Sequence, residues 1–405
     1  MSAVVSGLLT ALSAPFIAWW GTWVALVTAR PRASGSRNER KALVSGPRTA
    51  AFDVVVPAHD EAATVGRLIG SLQEQDAPEL LGRILVVADH CHDGTAAVAR
   101  AAGAEVLERH DGAPGKPPAL RAGVDLLRHD GARSDAVILL DADCECDAGF
   151  LRGLADRLGP DDQVVQAAYT LDEPDRGSVR GGLRLGFALR NVVRARGADR
   201  RGVPLVLFGS GMLFRWAALE HLSFGDPRLQ GTGDSRPVAD DVLMALDLVT
   251  AGIHPRFAEH AHVRAPTPDD DHALGAQRLR WEGGQALMWR RIPRTARVLV
   301  ARRDWRGLVA LVDWTAPPMA PSVVAVGTLG LVAAGGVVTG VISPIALVGP
   351  ALAGVLLGTY LVVGVTALEG RDGLARLVVG APRFLVWKAG LYVRHRTARR
   401  AGASP

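Results

Sequence analysis

Two stretches of this chain carry no charged residue: residues 1–29, and residues 315–368, a run of 54. A helix of about 20 apolar residues crosses the hydrocarbon core of a bilayer, so the first stretch has the length of one crossing and the second of two. Ser343, Pro344, Gly349 and Pro350 mark the turn between those two. No basic segment precedes the first stretch, which is therefore expected to stay as an anchor rather than be cleaved as a signal peptide. The residues between the two runs suffice for one full enzyme domain of about 250 residues.

The net charge of +5 and the pI of 9.5 are unevenly distributed. Residues 30–48 carry +5 and residues 371–400 carry +7, which leaves −7 for residues 49–370. The basic character thus belongs to segments beside the apolar runs, and no nucleic-acid partner is expected. Positive flanks stay inside, so the reading is a multi-pass protein of the cell membrane with its central domain cytoplasmic. Three cysteines, Cys91, Cys144 and Cys146, are too few and too unevenly placed for a disulfide framework. Between the domain and the second run, arginines at 290, 291, 294, 297, 302, 303 and 306 interleave with Ile292, Leu299, Val300 and Trp305. That pattern reads as an amphipathic segment on an anionic leaflet. The expected division is an anchor over 1–29, a basic linker over 30–50, a cytosolic domain over 51–290, an interfacial segment over 291–314, two spans over 315–368, and a basic tail over 369–405 that can hold a further interfacial helix.

From Asp53 to Val263 short β-branched runs alternate with helical patterns, the signature of an α/β domain with a mostly parallel sheet. Strands are expected at Asp53 to Pro57, Ile84 to Ala88, Glu105 to Glu108, Ala136 to Leu140 and Val164 to Thr170. Helices are expected at Ala62 to Gln75, Gly94 to Ala102, Leu120 to Arg128 and Leu183 to Arg196. In an open parallel sheet ligands bind beyond the carboxyl ends of the strands, so the polar loops after the first, second and fourth strands should converge.

The strongest local signal is Asp141-Ala142-Asp143 at the end of the apolar run Val137 to Leu140. Two carboxylates one residue apart at a strand terminus can hold a hard divalent cation that also grips a diphosphate, although acidic pairs cap turns as well. The pair has companions in a fixed order: Val54 to Ala62 with Asp60 and Glu61, then Val86 to Thr95 with Asp89, then Gly115-Lys116, then Ala239-Asp240-Asp241, then Gln277-Arg278-Leu279-Arg280-Trp281. The ordered set resembles the membrane-bound family 2 glycosyltransferases, the group of the cellulose, chitin and hyaluronan synthases, over roughly residues 53–290.

That resemblance implies a GT-A fold, a nucleotide-sugar donor and a divalent metal, Mg²⁺ or Mn²⁺. It places Asp60, Glu61, Lys116 and Arg278 on the nucleotide side and Asp89 at the carboxylate that reads the base, usually uracil, whose imide N–H a carboxylate can accept. Asp143 is the direct metal ligand, with Asp141 supporting metal and nucleotide. Asp241 falls at the general base; Gln277, Arg278, Arg280 and Trp281 form a lid over diphosphate and acceptor. Phe208 to Met212, with Gly209, Ser210 and Gly211, matches the acceptor-side loop, where Trp281 also contributes. Plain structural roles stand beside these: Asp60, Glu61 and Asp93 also fit helix caps, best for Asp93, and Trp281 fits a core. Asp240 replaces the more common glutamate, and Ala88 and His90 depart from the usual neighbours of Asp89. His59, His90 and His92 with Asp89 and Asp93 are ligand types that transition metals take, without the spacing of a zinc motif.

The resulting expectation is an inverting transferase that moves a sugar from a nucleotide sugar, UDP-hexose or UDP-N-acetylhexosamine, to a saccharide or lipid-linked acceptor at the membrane. A polyprenyl-phosphate sugar synthase is the alternative within the fold, and a noncatalytic membrane scaffold the alternative outside it. Three spans cannot enclose a polymer channel in one protomer, which favours transfer of one sugar or a short oligomer.

Overall fold

The computed structural model describes residues 2–29, 52–131, 134–172, 179–224, 240–267, 274–275 and 285–400. Helix α1 (Ser2–Val27) precedes an α/β domain whose elements run β1 (Phe52–Ala58), α2 (Val65–Gln73), β2 (Leu81–Asp89), α3 (Thr95–Ala101), β3 (Glu105–Arg109), α4 (Lys116–His129), β4 (Ala136–Leu139), β5 (Glu145–Cys146), α5 (Phe150–Arg157) and β6 (Val164–Leu171). There follow α6 (Val179–Ala188), a π-helical segment (Leu189–Arg194), α7 (Ala195–Arg201), β7 (Met212–Arg215), α8 (Asp240–Ala251) and β8 (Arg256–Ala265). The chain closes with α9 (Gln285–Ala301), α10 (Trp305–Trp314), α11 (Met319–Val338) and α12 (Val348–Arg400).

One eight-stranded sheet orders these strands β3-β2-β1-β4-β7-β6-β8-β5. The half from β3 to β4 is parallel throughout, as its βαβ connections require. Its strands are the expected ones with ends shifted by a few residues, and their apolar runs are buried from Val54 to Val56 and from Leu85 to Ala88 because helices cover both faces. In the other half β7 runs antiparallel to both β4 and β6, β8 is parallel to β6, and β5 is antiparallel to β8. Strands β5, β7 and β8 were not anticipated, and they make the sheet mixed. Two of them are too short to show a period: β5 has two residues and β7 four. The third, β8, alternates polar and apolar residues through His260, His262 and Arg264.

Among the described residues three helices are long and apolar enough to cross a membrane: Val4–Val27, Met319–Val338 and a segment over Pro344–Val393. The last lies mainly in α12, which breaks at Gly370 (φ 67°, ψ −161°) just past the uncharged run, so the basic tail continues as a second helical piece. Of these, α1 and α12 are docked on the domain. Leu26 of α1 belongs to the same core as the sheet, Arg201 Nε donates to Ala25 O at 2.8 Å, and the buried Arg194 pairs with Asp313 at 2.7 Å while lying 4.3 Å over the Trp23 ring. Helices α9 and α10 occupy the expected interfacial segment. They bury Met288, Leu299 and Leu311 against the domain and leave Trp289, Val300, Trp305 and Val309 exposed.

Candidate active site

Loops converge at the carboxyl edge of the sheet, each placed by the strand it adjoins. Strand β1 delivers His59, Asp60 and Glu61; β2 delivers Asp89 and the residues to Asp93; β4 delivers Asp141 and Asp143. The turn of residues 208–211 arrives by a different route. Because β7 runs antiparallel beside β4, with Met212 opposite Leu139, residues entering β7 meet residues leaving β4.

Ser210 and Gln166 fasten that meeting point. Ser210 is fully buried, and its Oγ accepts the Asp141 backbone N–H at 3.0 Å and lies 3.4 Å from Cys144 Sγ. Gln166, buried within β6, donates from Nε2 to Ser210 O at 2.8 Å and accepts the Phe208 N–H at 2.9 Å. Gly211 has φ +70°, and a Cβ there would sit 2.9 Å from Val263 Cγ2 and 3.0 Å from Ala167 Cβ, so conformation and space both demand glycine. A Cβ on Gly209, by contrast, would lie 3.8 Å from both Asp241 Oδ2 and Lys116 Nζ, which locates this turn between those two groups.

Lys116, the first residue of α4, donates to Asp141 Oδ1 and, at 2.8 Å, to Gly209 O. Ligand atoms of Asp141, Asp143 and Cys144 lie within 4.8 Å of one another. Burial pushes the Asp143 carboxyl up to about 6, helped by the negative charges of Asp141 and Glu61 and opposed by Lys116. Three carboxylates around one ammonium leave local negative charge uncompensated, the setting that a hard divalent cation relieves, and carboxylate oxygens are the ligands it takes. The donor set therefore fits Mg²⁺ or Mn²⁺.

Asp241 stands in the first turn of α8, where its Oδ1 accepts the Val242 N–H at 2.9 Å. Burial pushes its carboxyl up, and the positive charges of Arg190 and Lys116 oppose that shift. Arg190 was not foreseen; it lies in the π-helical segment that interrupts the expected single helix over 183–196, a feature without a sequence signal here. Arg109 was also missed, although it ends a strand, as binding residues in such sheets do. It donates to Asp89 Oδ1, which also lies 2.9 Å from His90 Nδ1, while Asp89 Oδ2 accepts the Gly115 N–H at 2.7 Å. Asp89 is 2% exposed, so its carboxylate is engaged within the protein and ties the loop before Lys116 to β2. Gln166 had a readable signal: a lone amide in the apolar run Val164 to Ala168.

Asp60 Oδ1 accepts the His92 N–H at 2.6 Å, and Glu61 Oε2 accepts from Thr64 Oγ1 at 2.6 Å. Asp93 lies one residue before Gly94, the N-cap of α3, rather than at the cap itself, and takes the Thr95 N–H at 2.9 Å and the Ala62 N–H at 3.1 Å. Gln277, Arg278, Arg280 and Trp281 lie outside the described residues. The structure thus brings Lys116, Asp141, Asp143, Gly209, Ser210 and Asp241 together, with Glu61 close enough to act on the Asp143 charge. Asp60 and Asp89 stand on the neighbouring loops.

A family model described as glycosyltransferase-like family 2 matches residues 47–284. Among solved structures, a mannosyltransferase from Pyrobaculum calidifontis, in complex with GDP-Man and Mn²⁺, is 18% identical with a TM-score of 0.48, covering 87% of this chain and 99% of its own. A glucosyl-3-phosphoglycerate synthase from Mycobacterium tuberculosis, in complex with Mn²⁺, UDP and glucosyl-3-phosphoglycerate, is 21% identical with a TM-score of 0.40, covering 64% of this chain and 85% of its own. No curated protein matches the chain in sequence.

Proposed function

The chain belongs to glycosyltransferase-like family 2 and is a glycosyltransferase with a GT-A fold; from that premise we propose an inverting enzyme that moves one sugar from a UDP-hexose or UDP-N-acetylhexosamine to a hydroxyl of a saccharide or lipid-linked acceptor at the membrane. The observation that carries this reading is the convergence of Lys116, Asp141, Asp143 and Asp241 around the Gly209 turn.

Asp60 and Glu61 face the nucleotide. Asp89 shapes the base pocket by holding Arg109 and the Gly115 amide. Asp141 and Asp143 would hold the divalent cation, which supplies positive charge against the departing diphosphate. Lys116 adds a second positive charge beside it. Asp241 takes the proton of the attacking hydroxyl; a carboxyl raised by burial is a stronger base than a free one, as this step requires. Gly209, Ser210 and Gly211 form the acceptor-side wall. Arg278 and Arg280 close over the diphosphate, with Gln277 and Trp281 beside the acceptor. A phosphate acceptor needs no such base, so the half-buried Asp241 favours a hydroxyl. Basic flanks at 30–48 and 371–400 keep the catalytic domain in the cytoplasm. The exposed Trp289 and Trp305 beside arginines suit the membrane interface.

The test is release of nucleoside diphosphate by the full chain in lipid nanodiscs, from a panel of nucleotide sugars with Mn²⁺ or Mg²⁺, with the product anomer read by NMR. A retained anomeric configuration, or full transfer by Asp241→Asn, overturns the reading.

A further inference from the structure

Helix α9 carries two faces of different character. At about 100° per residue, Met288, Arg291, Thr295 and Leu299 fall on one side, and these are its covered side chains. Trp289, Arg290, Arg294, Arg297 and Val300 fall on the other and are exposed, with Trp289 and Val300 along one edge and the three arginines along the next. Helix α10 continues that outer face with the exposed Trp305, Arg306 and Val309, and residues 315–318 join it to the apolar α11. The two acids of residues 285–314 are committed elsewhere: Asp304 lies 2.8 Å from His254 Nε2, and Asp313 pairs with Arg194. The outer face is therefore basic and aromatic without opposing charge. Continuous with a helix long enough to cross a bilayer, it matches phospholipid headgroups of net negative charge, because guanidinium pairs with phosphate and indole settles at headgroup level.

The inner face is tied to the helix that carries Asp241. Arg291 Nη1 donates to Asp247 Oδ1 at 2.8 Å, and Asp247 Oδ2 accepts the Ser223 N–H at 3.0 Å and its hydroxyl at 2.6 Å. With 13% of the Asp247 side chain exposed, solvent screens that pair little. Thr295 Oγ1 lies 3.2 Å from Thr250 Oγ1, and Arg302 donates to Thr250 O at 2.7 Å. Asp247 and Thr250 belong to α8, whose first turn holds Asp241. Whatever orders α9 thus orders the second half of α8, and a helix passes that order along its own backbone hydrogen bonds.

We propose that the outer face of α9 and α10 docks on anionic phospholipid, and that docking orders α8 and with it Asp241. The regulatory part rests on the reading of Asp241 as the general base. Membrane charge then governs the acceptor side of the site and leaves the strands on the donor side unaffected.

The test places the full chain in nanodiscs of phosphatidylcholine, with or without phosphatidylglycerol, and reads amide hydrogen exchange. Phosphatidylglycerol is expected to slow exchange in α9 and in α8 by at least about fivefold at low salt, the effect of about one arginine at a charged surface. Molar salt should remove most of the slowing, and β1 and β2 should show none. Replacing Arg290, Arg294 and Arg297 together by Gln should abolish it in both helices; all three are exposed, so the fold is kept. Arg291→Gln should keep it in α9 and lose it in α8, and Arg291→Lys should restore it there. Exchange is read without turnover, so an inactive chain with this lipid dependence overturns the assignment of Asp241 and leaves the docking surface standing. Equal exchange in the two lipids, slowing that survives the triple substitution, or slowing of α9 with none in α8 overturns the proposal. Slowing by polyglutamate but not by phosphatidylglycerol assigns the face to an acidic protein and overturns it as well.

Discussion

The two halves of the sheet divide the site between them, and they were built by different rules. In the half from β3 to β4, parallel strands joined by βαβ crossovers carry Asp60, Asp89 and Asp141 at their carboxyl ends. In the half from β7 to β5, strands of mixed direction bring the Ser210 turn to the same edge from the opposite chain direction. Local sequence sets the first half, because each strand is followed at once by its own functional loop. The second half is set by distant pairings, such as Gln166 with Phe208 and Ser210. On the proposed function a separation of labour follows: the parallel half binds donor and metal, and the mixed half, with Asp241, governs the acceptor.

The sharpest way to break that division is at its two poles. Asp143→Ala, or removal of divalent cations with EDTA, is expected to abolish both nucleotide-sugar binding by calorimetry and transfer, since diphosphate and carboxylates repel without a cation between them. Undiminished turnover in EDTA would falsify the metal assignment. Asp241→Asn is the contrasting case: donor affinity unchanged, melting temperature not lowered, and transfer slower by at least about 10²-fold. Should donor binding fall with it, Asp241 belongs to the donor half and the division is wrong.

A third measurement isolates the charge strain in the parallel half. The Asp143 carboxyl rises from 3.8 to about 6 on folding, so the folded state binds its proton more tightly than the unfolded state. Stability of the metal-free protein is therefore favoured below about pH 4 and lost as pH rises toward 6, at a cost of up to about 3 kcal/mol above it. Asp143→Asn should remove that loss, raising the melting temperature in EDTA at pH 7.5 while changing little at pH 4. Equal effects at both pH values would show that the strain lies elsewhere. The smallest effect is expected from Gly211→Ala, which forces a Cβ against Val263 and Ala167 at a positive φ. A loss of roughly 1–3 kcal/mol by denaturant unfolding is anticipated, with the donor affinity of the surviving folded fraction unaltered.

Much of this protein could be read before any coordinate was known. Charge-free runs located the helices long enough to span a membrane, because a span is a property of consecutive residues. Short apolar strands ending in acidic loops located β1, β2 and β4, because a parallel strand places its carboxyl-end loop at the site whatever lies elsewhere. Tertiary structure alone decided the rest. The short β5 and β7 show no period of their own, and β7 exists because β4 and β6 flank it. Arg109 reaches Asp89 from the end of a neighbouring strand, and Arg190, in the π-helical segment, acts by its charge on Asp241. His59 and His92, 33 positions apart in the chain, come together because β1 and β2 pair in parallel and end at the same edge. Each of these is a meeting of residues far apart in sequence, and such meetings are set by packing rather than by any local pattern.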